Sequence, residues 1–298
     1  MSTWRRTASP QGSYVEERTE GQSLSRSARV SVASSVRGHT ASDGNAARLG
    51  RSTGGLMSGF DGVVAETWRV GMLGGYSSTT FDARDRASSG HSDNYHIGVY
   101  GGTQWGAFGL RTGVAYTWHD ISVSRSVAFP GFSDRLRADY SVGTTQAFGE
   151  LGYRIDAPAV SFEPFANLAY VNLRANSFNE RGGAAALSSF GANTDVAFAT
   201  LGMRAFTDVR LGGVAATARG TLGWRHAFGG TTPLSSFAFA GGNAFAIAGV
   251  PIAQNAAIVD AGLDLAIAPS ATIGVSYNGQ FGSHALDQGV RGNLTVRF

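Results

Sequence analysis

The 298 residues contain no cysteine, which excludes disulfides, thiol nucleophiles and cysteine metal sites. No run of about 18 apolar residues occurs, so no segment can cross a membrane as a helix. Charge is sparse. Asp, Glu, Lys and Arg make up 15% of the chain, against about 25% in an average soluble domain. The net charge is only +3 and no long basic run is present, so no nucleic-acid partner is expected. The opening stretch, MSTWRRTASPQGSYVEERTE, lacks the apolar core of a signal peptide. The six histidines are His39, His91, His96, His119, His226 and His284, and none forms an H-x-x-x-H or H-E-x-x-H pair. No metal and no cofactor is therefore expected.

What the chain does have is glycine, 42 residues of it, and a persistent period of two. Tyr95, Ile97, Val99, Gly101, Thr103 and Trp105 alternate with His96, Gly98, Tyr100, Gly102 and Gln104. Phe108, Leu110, Thr112, Val114, Tyr116 and Trp118 alternate with Gly109, Arg111, Gly113, Ala115, Thr117 and His119. Period two is the signature of a strand. Strands are predicted at 52–60, 67–79, 93–105, 107–120, 139–155, 159–174, 195–208, 213–228, 255–267, 271–282 and 285–298. That is eleven, and a single-chain bacterial barrel needs an even number. The weak alternation of Arg29 to Val36 (RVSVASSV) can supply the missing one.

The chemistry of the two faces separates a barrel from a soluble sandwich. One face is apolar and aromatic. The other is Gly, Ser, Thr, Asn, Gln and scattered Arg, as in a wide wet lumen. Trp68, Trp105, Trp118 and Trp224 stand at strand ends and predict interfacial aromatic girdles. Tight joins at 61–66, 104–107, 156–159, 208–213 and 268–271 alternate with longer ones at 79–93, 120–138, 174–194 and 229–254. That is the asymmetry of periplasmic turns and external loops. The predicted fold is an all-β, transmembrane, antiparallel up-and-down barrel of about 12 strands, its C-terminus on the short-turn side.

Candidate sites are few. Arg111, Glu150, Arg154, Arg204, Arg219 and Arg225 alternate with apolar neighbours such as Leu110, Leu151, Leu201, Leu222 and Trp224. An Arg facing lipid near the midplane costs about 2–4 kcal/mol, so these six are predicted to form a charge network in the lumen. His96 and His119 fall on neighbouring predicted strands and face the same lumen. Gly50-Arg51-Ser52-Thr53-Gly54 fits G-x-S-x-G, but no helical period follows it, so the strand-to-helix elbow is absent. No catalytic residue is assigned.

Residues 38–298 resemble the C-terminal β-domain of autotransporters, the translocator barrel of type V secretion. The telling segments are GHTASDGNAARLGRSTGGLMSGFDG, WRVGMLGGYSSTTFD, SSGHSDNYHIGVYGGTQWGAFGLRTGVAYTWHDI and VDAGLDLAIAPSATIGVSYNGQFGS. The resemblance implies a twelve-stranded barrel integral to the Gram-negative outer membrane. It implies anchoring and export of an N-terminal passenger, with a linker helix or the passenger polypeptide in the pore. It also implies outer-membrane lipid, the BAM assembly machinery and periplasmic chaperones as partners. In the family a C-terminal strand ending in an aromatic is read during insertion, and Gly292, Leu294, Val296 and Phe298 match it. The rival expectations are a barrel enzyme of esterase or protease type and a passive pore. Residues 1–37, rich in Arg and Ser, stand apart from the resemblance. A frameshift or a misassigned start codon upstream of Gly38 would account for them, for the lack of a signal peptide and for the absent passenger.

Overall fold

The computed structural model describes residues 4–8, 14–18, 26–41, 48–65, 67–83, 87–283 and 285–297. Twelve long strands carry the fold: β1 (Arg26–Thr40), β2 (Leu49–Val64), β3 (Trp68–Ala83), β4 (Ser88–Trp105), β5 (Phe108–Phe129) and β6 (Phe132–Tyr153). They continue as β7 (Ser161–Ala175), β8 (Ala192–Leu211), β9 (Val214–Gly229), β10 (Asn255–Ala268), β11 (Ala271–Gly282) and β12 (Ala285–Arg297). Each pairs antiparallel with the next, and β12 closes on β1 over the register Ala285↔Thr40 to Arg297↔Ser27. The predicted up-and-down barrel of twelve strands is what forms. Arg29–Val36 lies within β1, which runs across position 38. A bulge shifts the register of β1 between Ser31 and Ser34. Trp4–Ala8 and Tyr14–Arg18 pair as a separate hairpin.

Closure has a physical consequence. Every barrel strand has a neighbour on both sides, so the barrel wall presents no row of unpaired N–H and C=O groups to the surroundings. Only such a sheet can lie in hydrocarbon without stranding backbone groups. The polarity is inverted to match. Buried positions include Asp61, Arg69, Arg111, Glu150, Glu163, Arg204, Arg219 and Asp264, while Leu56, Phe60, Val99, Val114, Leu168, Leu201, Leu222 and Val290 are exposed.

Aromatics mark the two edges of this apolar band. Near the short turns stand Trp68, Trp105, Phe108 and Tyr153; Trp105 and Phe108 stack 6.4 Å apart, and Phe108 meets Tyr153 edge-on at 5.0 Å. At the far edge stand Tyr76, Tyr95, Trp118, Tyr170 and Trp224. Phe108 to Trp118 is ten residues of one strand, roughly 25 Å along the barrel axis at ~3.3 Å per residue and a tilt near 40°.

The predicted long join at 120–138 is corrected. β5 and β6 continue as one paired hairpin from Phe108↔Tyr153 to Phe129↔Phe132, with only Pro130 and Gly131 in the turn. The alternation persists beyond Trp118, but its chemistry inverts. Ser122, Ser124 and Ser126 now point outward, while Leu136, Ala138 and Val142 are buried on the inward face. That is the polarity of a sheet in water. Strand ends beyond Trp118 therefore stand outside the membrane, where the apolar side is the one to hide.

The predicted long join at 79–93 is corrected too, since β3 runs to Ala83 and β4 begins at Ser88, the two paired out to Ala83↔Ser88. The joins at 174–194 and 229–254 are partly ordered. Phe178–Asn179, Leu187–Ser189, Leu234–Phe239 and Phe245–Ala248 form a four-stranded sheet. An isolated bridge, Arg137↔Arg181, ties this cap to β6. Arg125 grips Glu180 through two hydrogen bonds of 2.7 and 2.5 Å, and the Ala185 amide donates to Asp134 at 2.8 Å. Phe178 stacks on Tyr140 at 4.3 Å, and burial raises the Tyr140 phenol pKa above its usual range. Arg125, Leu136 and Tyr140 all lie on the axis-facing side of the hairpin, so the cap packs on that side.

Candidate functional site: the barrel lumen

The lumen is built from the inward half of each alternation, and its charges gather near the short-turn end. Arg111 on β5 stands directly across from Glu150 on β6, and Glu163 on β7 directly across from Arg204 on β8. Barrel stagger then brings the two pairs together. Arg111 donates to Glu150 at 2.9 Å and to both oxygens of Glu163 at 2.8 and 3.1 Å. Arg204 donates to both oxygens of Glu150 at 2.9 and 2.7 Å and to Glu163 at 3.0 Å. Four side chains on four strands thus share six charge-assisted hydrogen bonds, the stronger class of such contacts. Arg204 also lies 3.8 Å over the Phe165 ring, and Phe165 has room because the residue in register with it is Gly202.

Two further pairs continue the charged belt around the wall. Arg69 donates to Asp61 at 2.6 Å, and Asp61 also accepts from the Tyr100 hydroxyl at 3.0 Å. Asp61, Gly71 and Tyr100 sit in one row across β2, β3 and β4. A Cβ on Gly71 would lie 2.6 Å from the Tyr100 ring, so glycine is what lets the phenol reach across. Arg219 on β9 pairs with Asp264 on β10. Each of these arginines has a carboxylate, which matters because an unpaired charge in such surroundings is costly.

Farther out, the lining contributed by β3 to β6 around His96 and His119 is neutral, while Arg51 and Asp287 pair across the loop ends of β2 and β12. His96 bonds Ser77 at 2.9 Å through Nε2 and Thr117 at 2.9 Å through Nδ1. His119 bonds Asn94 at 2.6 Å and Thr144 at 2.9 Å. Asn94 donates on to Ser77 at 3.2 Å and Thr79 at 3.1 Å. The Ser77–His96 contact has the length of a nucleophile–base pair. A serine hydrolase needs a carboxylate on the other ring nitrogen to fix the tautomer and stabilise the imidazolium; here that nitrogen meets the Thr117 hydroxyl. Among the described residues no three His, Cys, Asp or Glu side chains converge on a metal-sized space.

Of the six charged residues predicted for the lumen, Arg111, Glu150 and Arg204 come together and Arg219 sits in the second pair. Arg225 reaches Gln280 at 2.9 Å and Thr200 at 3.2 Å rather than a charge. Arg154 lies at the short-turn rim, bonded to Asp156 and, at 3.2 Å, to Ser161. Burial of Asp156 opposes its ionisation, but the Ser161 and Arg154 contacts outweigh that and hold its carboxyl below the usual range. Glu163, Asp264, Asp61 and Arg69 escaped the sequence reading. Asp61 sits where a tight turn is predicted, yet β2 runs on to Val64. On β12, Val290 and Val296 face outward while Asn293 and Thr295 are buried; Gly292 and Leu294 share the phase of the outward pair, and Phe298 lies outside the described residues.

A sequence profile of the autotransporter beta-domain matches residues 33–278. An extracellular serine protease of Serratia marcescens is 41% identical over 262 residues, and a second from the same organism 37%. The match takes in 88% of this chain and 25% of either relative, so the chain spans about a quarter of their length. The fold is similar to the translocator domain of the autotransporter NalP from Neisseria meningitidis, with a TM-score of 0.72 at 14% identity over 93% of this chain and 90% of that one. It is similar also to the beta domain of the Bordetella autotransporter BrkA, with a TM-score of 0.67 at 19% identity over 93% and 100%. With the inverted polarity, the two aromatic girdles and the profile match in agreement, this chain belongs to the autotransporter β-domain family and is an outer-membrane translocator barrel.

Proposed function

We propose that the barrel anchors a longer polypeptide in the outer membrane and takes part in exporting its N-terminal passenger, with no chemistry of its own. The observation that supports this best is the wall of the lumen. Matched charges near the short turns and a stretch of neutral hydrogen-bonding groups on β3 to β6 farther out offer a hydrated path, and His96 and His119 are both engaged by neutral side chains. By likeness to the two Serratia proteins, the passenger is a serine protease. Its partners on this reading are outer-membrane lipid, the BAM machinery, periplasmic chaperones, and a linker helix or passenger segment within the pore. Gly292, Leu294, Val296 and Phe298 serve as the insertion signal, and the lumen charges line the route.

The test places a working signal peptide and a protease-sensitive reporter ahead of the chain in Gram-negative cells. The reporter should be cleaved by protease added to intact cells, while the barrel migrates as a heat-modifiable outer-membrane protein. A correctly inserted barrel whose reporter remains protected in the periplasm overturns the reading.

A further inference from the structure

The hairpin that projects beyond the outer girdle carries an unusual charge arrangement on its outward face. Arg137 and Arg181 form a two-way backbone bridge, with N–H to O distances of 2.9 and 2.8 Å. In such a pair both side chains leave the sheet on the same side, a few ångströms apart. Arg135, two residues before Arg137, shares that face. All three are exposed, and none has a carboxylate partner among the described residues. Like charges directly across a sheet repel, so this clustering calls for an anion.

The neighbours suit one. Ser124 is in register with Arg137 and Ser126 with Arg135, which adds two hydroxyl donors to three guanidinium forks. The one carboxylate beside them on this face is Asp139, which is taken up by Ser122 at 2.6 Å. Asp134 and Glu180 point to the opposite side, into the cap. Planar guanidinium groups beside hydroxyls match the tetrahedral oxygens of a phosphate.

Height selects the source. Gly143 is in register with Trp118 of the outer girdle. Arg137 lies six residues farther along β6, about 20 Å along the strand and roughly 15 Å above the girdle after tilt. That is above the acyl chains, at the level of the sugars that surround a barrel on the outer face of a Gram-negative cell. We propose that Arg135, Arg137 and Arg181, with Ser124 and Ser126, form a binding surface for phosphate groups on the core oligosaccharide of lipopolysaccharide.

The experiment compares the parent barrel with the R135Q/R137Q/R181Q variant. Both are refolded in detergent and titrated with purified rough lipopolysaccharide, with the same material after removal of its core phosphates, and with inorganic phosphate. The parent should bind phosphorylated lipopolysaccharide at least about tenfold more tightly than the variant does, equivalent to about 1.4 kcal/mol. The preference should weaken with salt. Dephosphorylation should abolish the difference. Both proteins should show the same heat-modifiable mobility, which separates lost binding from lost folding. Equal binding by parent and variant overturns the proposal, as does a difference that survives dephosphorylation. Saturation by inorganic phosphate alone, at concentrations that compete with lipopolysaccharide, overturns it in favour of a free-anion site. Surface display of a reporter is scored separately, so failure here leaves the translocator reading intact.

Discussion

Replacing Arg204 with Met and Glu150 with Gln together should destabilise the barrel by less than the sum of the two single changes. In the parent, two arginines and two glutamates share six hydrogen bonds across β5, β6, β7 and β8. Removing Arg204 deletes three of them and leaves two carboxylates on one arginine, each glutamate nearly inaccessible to solvent. Stripping one partner from a buried ion pair costs about 3–5 kcal/mol, because the survivor stays buried and uncompensated. Glu150→Gln alone leaves an excess arginine and should cost a similar amount. The double change restores neutrality and keeps Arg111 on both oxygens of Glu163. Its cost should fall short of the sum by about 1–3 kcal/mol, the coupling expected of residues in one network. Urea titration of the barrel folded into lipid vesicles, followed by tryptophan fluorescence and by unheated gel mobility, measures all four corners of the cycle. Costs that add to within about 0.5 kcal/mol would refute the reasoning, since the four groups would then be acting independently.

Gly71→Val should displace the Tyr100 ring, costing about 1–3 kcal/mol as overpacking does, whereas Tyr100→Phe should lose only one hydrogen bond, about 1 kcal/mol; the temperature at which the unheated gel band disappears ranks the two. Because the chain has no cysteine, a single Leu136→Cys gives one thiol beneath the cap, where Leu136 is fully buried. Its alkylation should be slow in the parent and at least about tenfold faster when Glu180→Ala releases the Arg125 grip, and equal rates would show that the grip does not hold the cap. Asp156 ionises more easily in the fold than in the free chain, so its stabilising contribution is present above the usual carboxylate range and fades as pH falls through its lowered pKa; Asp156→Asn should flatten that acid limb, only slightly because the group is exposed. Deleting Phe298 from an export-competent chain should sharply lower the outer-membrane yield of barrel, and an equal yield would remove Phe298 from the insertion signal. An epitope at Gly241, with a φ of +72° and no atom within 4 Å of an added Cβ, should stain on intact cells, and staining only after permeabilisation would invert the topology; Gly183 is a poor site, since a Cβ there would strike Asp134 at 2.2 Å.

The barrel was legible in the sequence because one rule, the alternation of side chains across a strand, sets both its faces. Phe108, Val114 and Trp118 against Arg111, Gly113 and Thr117 already distinguish lipid from lumen. The same rule, read with a single assignment of polarity, misjudges 79–93 and 120–138 as joins. In the latter the strand leaves the membrane, and Ser122, Ser124 and Ser126 take the outward side that Val114 and Trp118 hold below. A polarity inversion at constant period marks a strand that has crossed an interface, whereas loss of the period marks a loop. The charge network was half legible for a different reason. Alternation tells which way Arg111 and Glu150 point, and their pairing is direct across β5 and β6. Glu163 joins them only through the stagger of β7 against β6, which puts Asn167 rather than Glu163 opposite Glu150. Stagger is a property of the closed ring, fixed by strand number and tilt together, and no window of sequence contains it. The pairs Arg69–Asp61 and Arg219–Asp264 are two residues out of direct register for the same reason, and in each the in-register position is a glycine, Gly71 and Gly262 respectively. An inward arginine or aspartate whose cross-strand partner is glycine is therefore the signal to look two residues along the neighbouring strand for the opposite charge.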